Sequence, residues 1–556
     1  MSHKLKAIAG IAFASYLSGC SSLQIHADAP AQAADTSVLT PPTILYLSTL
    51  SEKRSAPRLG EMVAPIIDGR SYIVSPPVEG LSQSEFEHLA KWYLTVGKAA
   101  NAAYKNHIGR PQPQKLMQGH LPADIISTFD ADKEYSEEEI SKVIFKVTND
   151  MLQQLDPHSA FFPPISSKNF IDSYQGQFTG LGVYFDAVEK GIIIKNVMTG
   201  SPAQKAGLEA GDIISAGNGI SFVGSTREAF SDYINAHQDM RLSVIRDGAV
   251  LAQDISVSKG VVKTQSVSAR ILNDEIAHIH ISSFTQDTQQ EFFSQMEAIK
   301  AQFSDKITGL IIDLRGNGGG SVQAMADIAD YLTAETDLLT MPTAYPAGMR
   351  MMGMIGETDN QITDLPISVI IDHQSASSSE LLAGILQDYK RATILGNSHS
   401  YGKATTQQLF SFTLPDGTAA SAKITNGVAL LPKTGSYQGT GIYPDILTPM
   451  SQRYRDHMAK NEGHNFEADK ENALSISAAD GVYRQSYYKC EITSARVLLD
   501  VFNMQSQSKI SDFDASNDSA SLCAIDHLTG KQAYSQTRAL AVEQKPAPNL
   551  APVPLS

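Results

Sequence analysis

Gly309-Leu310-Ile311-Ile312-Asp313-Leu314 reads as one continuous apolar strand, and it runs straight into Arg315-Gly316-Asn317-Gly318-Gly319-Gly320. A strand of that kind is covered on both faces, as in a mostly parallel sheet. Past the glycines, Val322, Met325, Ile328 and Leu332 recur at helical spacing. A second β-branched run, Ile367 to Ile371, leads into Ser375-Ala376-Ser377-Ser378-Ser379-Glu380 and a helical pattern through Leu381, Leu382, Ile385 and Leu386. Upstream, Glu275 to Ser283 alternates like a strand and residues 288–303 read as a helix. Strands alternating with helices through Gly-rich and Ser-rich turns describe an α/β domain whose site lies at the strand ends.

The serine turn carries the chemistry. A serine between strand and helix presents its hydroxyl outward, and the first amides of the helix have no partner within it. Those amides, with the helix dipole, suit a developing oxyanion. Tyr401-Gly402-Lys403 supplies a lysine on a Gly-containing loop, the residue type that could take a proton from a serine hydroxyl. An unperturbed lysine has a pKa of about 10.4, so the fold must desolvate Lys403 before it can act as a base near neutrality. Composition alone does not separate Ser377 from Ser375, Ser378 or Ser379. Nucleotide binding is disfavoured: Gly316-x-Gly318-x-x-Ser321 matches a dinucleotide fingerprint only in part, and Ala404 stands where a P-loop needs Ser or Thr. No His-Glu-x-x-His or paired-cysteine pattern indicates a metal, and no cofactor is implied.

At 556 residues the chain is too long for one core, and 42% hydrophobic with 19% charged residues marks it as globular. A net charge of −15 argues against nucleic acid as a partner. Lys4 and Lys6 precede the apolar stretch Ala7 to Leu17, which has the form of an export signal over residues 1–19. Residues 20–78, rich in Ala, Ser, Thr and Pro, read as a tether, with local order near Ile44 to Leu50. Residues 79–171 read as helical, including a capping box at Ser136 to Glu139 and an apolar stripe through Ile140, Ile144, Val147, Met151 and Leu155. Asp156-Pro157-His158-Ser159 ends that helix. Residues 451–540 carry no motif, and the Pro-rich segment 541–556 reads as a disordered tail. Cys490 and Cys523 form an even pair in one region, consistent with either a disulfide or two buried thiols.

Three resemblances sharpen this. Leu17-Ser18-Gly19-Cys20 resembles the lipobox of bacterial lipoproteins, which implies cleavage before Cys20, lipidation of its thiol and anchoring in the periplasm; Ser21 then favours the outer membrane. Gly180-Leu181-Gly182-Val183, Gly191 to Ile194, Gly200-Ser201-Pro202-Ala203 and Gly211-Asp212-Ile213-Ile214 resemble a PDZ domain over residues 172–258. Its loop Gly180 to Val183 would bind a peptide carboxylate through backbone amides, with Leu181 and Val183 lining an apolar pocket. Asp313 to Gly320, Ser375 to Glu380, Gln387-Asp388, Arg391-Ala392, Gly402-Lys403 through Gln407 and Gly441 to Asp445 occur in the order found in carboxy-terminal processing proteases, which the chain resembles over residues 140–450.

That resemblance implies a multi-domain α/β protein: a helical N-terminal region, the PDZ domain and, over 259–450, a ClpP/crotonase-like protease core. It implies Ser377 as nucleophile, Lys403 as base and Gln407 as the residue that orients the lysine. Oxyanion donors would be Ser378 and either Gly318 or Gly319. Partners would be protein or peptide substrates held by their C-termini, and an adaptor protein. Ser378 and Ala404 depart from the usual Ala and Gly, and the segment Asn397 to Tyr401 is one residue longer than is usual in the family. The alternative is a PDZ-bearing adaptor that keeps a degenerate protease core.

Overall fold

A computed structural model of the chain describes residues 82–449 and 488–536 with interruptions, chiefly around 113–132, 357–363 and 491–497, and before them only three short strands. The export signal, Cys20 and the 541–556 tail lie outside the described residues. Within the stretch read as a tether, Ile44–Leu47 and Met62–Val63 pair antiparallel with Ser71–Val74.

Five strands, Ile276–Ile281, Gly309–Asp313, Ile367–Ile371, Ala392–Gly396 and Ile446–Leu447, pair in parallel in that order. Leu310, Ile311 and Ile312 are fully buried, as are Val369 and Ile370, which is what continuous apolar strands require. Each such side chain contributes about 1.5–3 kcal/mol by leaving water. The helices Thr288–Phe303, Val322–Leu332 and Ser378–Asp388 bring Phe292, Met325, Ile328, Leu382 and Ile385 into one core with Leu310, Ile312 and Val369. Val267–Leu272 extends the sheet antiparallel at one edge. Leu498–Asn503 and Ser508–Asp514 then add two more strands from the C-terminal region. The helix Ser519–Leu528 packs Leu522, Ala524 and Ile525 against Ile311, Ile370 and Leu395. Cys490 and Cys523 are joined in a disulfide with Cα atoms 6.2 Å apart.

A second sheet orders Gly348–Ile355, Asp337–Tyr345, Ala419–Val428 and Thr405–Thr413, with Ala160–Phe162 paired to Ala419–Val428. The helices Gln83–Asn106 and Glu137–Gln153 begin at reciprocal capping boxes, Ser82 with Glu85 and Ser136 with Glu139. Their buried faces, including Trp92, Val96, Ile140, Ile144 and Leu152, share one core with Ala420, Ala422 and Ile424 of the second sheet and with Leu414, in the turn between its last two strands. The helical region therefore has no separate core. It is built onto the strands that follow Lys403.

The PDZ region has its own core around Ile192, Ile194, Ile214, Phe230 and Leu242. Val183–Val188 is an end strand of its main sheet, paired on one side with Gly191–Val197.

Candidate active site

Ser377 stands between Ile367–Ile371 and the helix Ser378–Asp388 with φ 55° and ψ −116°. A non-glycine residue in that region is strained, and the surroundings must hold it there. They do so through its neighbours' hydroxyls. Ser375 Oγ donates to Leu314 O (2.8 Å), Ser378 Oγ to Gly320 O (3.0 Å) and Ser379 Oγ to Asn317 O (2.9 Å). These three serines are fully buried, whereas Ser377 keeps part of its surface. Four serines that look alike in sequence thus divide into three braces and one presented hydroxyl.

All three braces reach the loop after Gly309–Asp313. Asn317 ties that loop in turn: its Nδ2 donates to Ile281 O (2.9 Å) and its carbonyl accepts from Ala376 N (3.0 Å). Gly319 has φ +98°, and a Cβ there would lie 2.7 Å from both Ala376 O and Ser377 Cβ. Gly320, at φ +138°, passes so near Phe284 that a Cβ would overlap its carbonyl. Only glycine allows this approach. Gly319 N donates to Asn317 Oδ1 (2.8 Å), so of the two expected glycine donors this one is already engaged within the loop.

At the start of the loop, Asp313 is held by Arg315 (2.5 Å) and faces His278 (3.4 Å). Arg315 reaches across to Asp518 (2.8 Å), at the N-cap of the C-terminal helix. Burial alone would raise the Asp313 carboxyl, but the Arg315 guanidinium and His278 hold it well below the usual range.

Glu380 joins the two halves of the site. Its fully buried carboxylate accepts from Ser377 N (2.8 Å) and Lys403 N (2.8 Å) through Oε2, and from Gly402 N (2.6 Å) and the Ser400 hydroxyl (2.6 Å) through Oε1. Burial pushes its pKa up to about 7 against the opposing pull of these four bonds. The half-buried Lys403 Nζ donates to Thr405 O (2.9 Å) and Gln407 Oε1 (2.8 Å). Ala404 is buried in the main core, and its N–H bonds Gln438 Oε1 (2.7 Å).

The other motif residues are braces. Gln387 Nε2 donates to Tyr443 O and Asp445 Oδ1, both at 2.9 Å, and Asp388 Oδ2 accepts from Lys433 N (2.8 Å). Arg391 Nε donates to Leu332 O (2.7 Å). Among the described residues no group of three or more His, Cys, Asp or Glu could hold a metal.

Ser377, Gly318, Gly319 and Lys403 thus sit on loops laced together by hydrogen bonds, with Ser378 opening the helix after Ser377 and Gln407 on the strand after Lys403. Gly180 to Val183 lies apart, in the PDZ domain. There Leu181 is 2% exposed and packs in the domain core, so its side chain is not the open pocket wall expected of it; its carbonyl accepts from Ala203 N (2.9 Å) and that of Gly182 from Met198 N (2.9 Å). Val183 is only partly buried. Glu380 was not singled out from the sequence as a site residue. Its signal was the Ser-x-x-Glu spacing from Ser377, the pattern of a capping box.

A presented serine beside a lysine loop and a PDZ domain defines a class of serine peptidase, and comparison with known proteins agrees. The model of peptidase family S41 matches residues 275–448, and the PDZ domain model matches residues 193–246. The chain is 31% identical over 323 residues to a carboxy-terminal-processing protease of Bartonella bacilliformis, covering 57% of this chain and 72% of that one. It is 28% identical over 296 residues to the carboxy-terminal processing protease CtpB of Bacillus subtilis, covering 52% of this chain and 59% of that one. Among solved structures, the photosystem II D1 C-terminal processing protease covers 63% of this chain at 21% identity with a TM-score of 0.36. The chain belongs to the carboxy-terminal processing serine proteases of peptidase family S41, with a PDZ domain.

Proposed function

We propose that the protein is an exported, lipid-anchored endopeptidase that captures protein C-termini with its PDZ domain and cleaves with a Ser377–Lys403 dyad. The observation that carries the reading is the Glu380 carboxylate, which takes the amides of Ser377 and Lys403 on a single oxygen. In the proposed cycle, Ser377 Oγ attacks the scissile carbonyl while its proton passes to Lys403 Nζ. The oxyanion is met by the amides of Ser378 and Gly318, at the start of a helix whose dipole favours negative charge. Lys403 then gives its proton to the leaving amine, and water repeats the sequence on the acyl-enzyme.

A neutral amine has two hydrogens and one lone pair. Thr405 O and Gln407 Oε1 accept hydrogens from Nζ. These two acceptors fix where the hydrogens of the amine point. The outer edge of Val183–Val188 and the loop before it suit an added strand with a free carboxylate. Capture through an adaptor protein belongs to the same reading. Lys4, Lys6 and the Leu17 to Cys20 motif support export and anchoring in the outer membrane, on the periplasmic side.

The test is hydrolysis of one apolar-tailed peptide in free-acid and amidated forms. Wild type should cut the free acid faster. Ser377→Ala and Lys403→Ala should each lose turnover, and the double variant should lose little more, because the two act as a unit. Equal cleavage of both peptides would remove tail recognition; turnover by either single variant would remove the dyad. For the anchor, Cys20→Ala should move the protein from the membrane to the soluble fraction, and wild type already soluble would contradict it.

A further inference from the structure

A cluster of buried polar groups lies behind Gln407, contributed by segments far from it in sequence. Asp156, which the sequence marks only as the end of a helix, is 5% exposed. Its Oδ1 accepts from His158 N (2.8 Å), Ser159 N (2.9 Å) and Thr425 Oγ1 (2.8 Å). Its Oδ2 accepts from Ser159 Oγ (2.5 Å) and meets His107 Nε2 (2.9 Å). Gly109 N donates to His107 Nδ1 (3.0 Å), so Nδ1 has no hydrogen and Nε2–H is the one given to Asp156. Burial works against the charge on Asp156, yet the hydrogen bonds from His107, Ser159 and Thr425 keep its carboxyl far below the usual range.

An ionised carboxylate only accepts, and that fixes the direction of every bond beyond it. Thr425 must give its hydroxyl hydrogen to Asp156. Its oxygen can then only accept from Gln407 Nε2, which lies 3.4 Å away and 3.2 Å from Thr405 Oγ1. With its NH₂ end held on that side, Gln407 must present its oxygen to Lys403 Nζ, at 2.8 Å. Thr425 is fully buried and bound at its other polar atoms: its N–H donates to Ser159 Oγ (3.1 Å) and its carbonyl accepts from Ile108 N (2.9 Å). It sits opposite Gln407 in the strand pairing, where a bulge between Thr406 and Gln407 re-aims the glutamine.

We propose that His107, Asp156 and Thr425 form a buried positioning relay that selects the orientation of the Gln407 amide and so aims the Lys403 amine. The relay rests on Lys403 being the base. It couples the helical region to the chemistry: His107 caps the helix Gln83–Asn106, and Asp156 follows the helix Glu137–Gln153. The other titratable groups around Asp156 are His158 in its own turn and Lys423 on Ala419–Val428, whose pKa burial lowers and Asp156 raises. Lys423 Nζ lies over the rings of Phe162 and Phe170, 5.6 and 5.7 Å from their centroids.

The experiment compares full-length wild type, Thr425→Val, Thr425→Ser, Asp156→Asn and Lys403→Ala on one free-acid peptide, recording kcat and KM across pH and thermal unfolding beside them. Thr425→Val should lower kcat by roughly tenfold, about one hydrogen bond's worth, with KM unchanged. Its kcat–pH midpoint should also move to lower pH, because an acceptor that favoured the charged amine is no longer held toward it. Thr425→Ser, which keeps the hydroxyl, should recover most of the rate and the midpoint. Asp156→Asn should resemble Thr425→Val; if it does not fold, the threonine pair still decides. A Thr425→Val enzyme with wild-type kcat and midpoint, or a Thr425→Ser enzyme equally damaged, overturns the relay. Turnover by Lys403→Ala would instead overturn the dyad, and the two failures are distinct.

Discussion

Ser377 and Lys403 were legible because each is embedded in a local pattern, whereas Glu380 and Asp156 act on residues distant in sequence. Glu380 stands 23 positions before Lys403 and still binds its amide. Glu380→Gln would turn an NH₂ group toward two of the four donors the carboxylate now satisfies. We expect kcat to fall by tenfold or more, since buried donors left unpaired cost about 1–3 kcal/mol each. Glu380 also makes stability depend on pH. Its folded pKa is raised from 4.5 to about 7, so the stability it adds is full below its unfolded pKa and is lost as pH rises through about 7. In thermal unfolding, the advantage of wild type over Glu380→Gln should therefore shrink between about pH 5 and pH 8. A difference that stays level or grows would contradict the assignment.

At the scale of elements, the apolar runs announced the parallel strands directly. Gly309–Asp313 and Ile367–Ile371 fall within the runs read from sequence, and Thr288–Phe303 matches the expected helix. What local pattern could not show was how closely the loops between elements approach. Gly319 reads as one glycine among several, yet its Cα faces the Ser377 turn with no room for a methyl group. Gly319→Ala combines a forbidden φ with a contact on the Ser377 turn, a strain of about 1–3 kcal/mol. Peptide turnover should drop by about a hundredfold for a loss of this size at the transition state, while the melting temperature falls by only a few degrees. Near-wild-type turnover would mean that the glycine loop does not position the serine.

For the whole molecule, domain boundaries were the least legible feature. The helical region and the strands after Lys403 share one core because Leu414, Ala420, Ala422 and Ile424 face Trp92, Val96 and Ile144. Long-range pairing of that kind leaves no trace in periodicity. The same holds for the C-terminal region, where no motif announced that Leu498–Asn503 would extend the central sheet or that Asp518 would meet Arg315. One addition reaches the glycine loop through Arg315 and the other backs the strand that carries Gln407, and the proposed dyad asks of both an amine able to take the proton of a serine. Lys403→Arg tests that requirement most directly, because a guanidinium keeps its charge and cannot accept the proton. The measurement is kcat/KM for a free-acid peptide against pH, wild type beside Lys403→Arg. Wild type should rise with pH to a midpoint well below the roughly 10.4 of a free lysine, and Lys403→Arg should stay inactive throughout. Substantial turnover by folded Lys403→Arg, or a wild-type rate indifferent to pH, would show that Ser377 relies on another base.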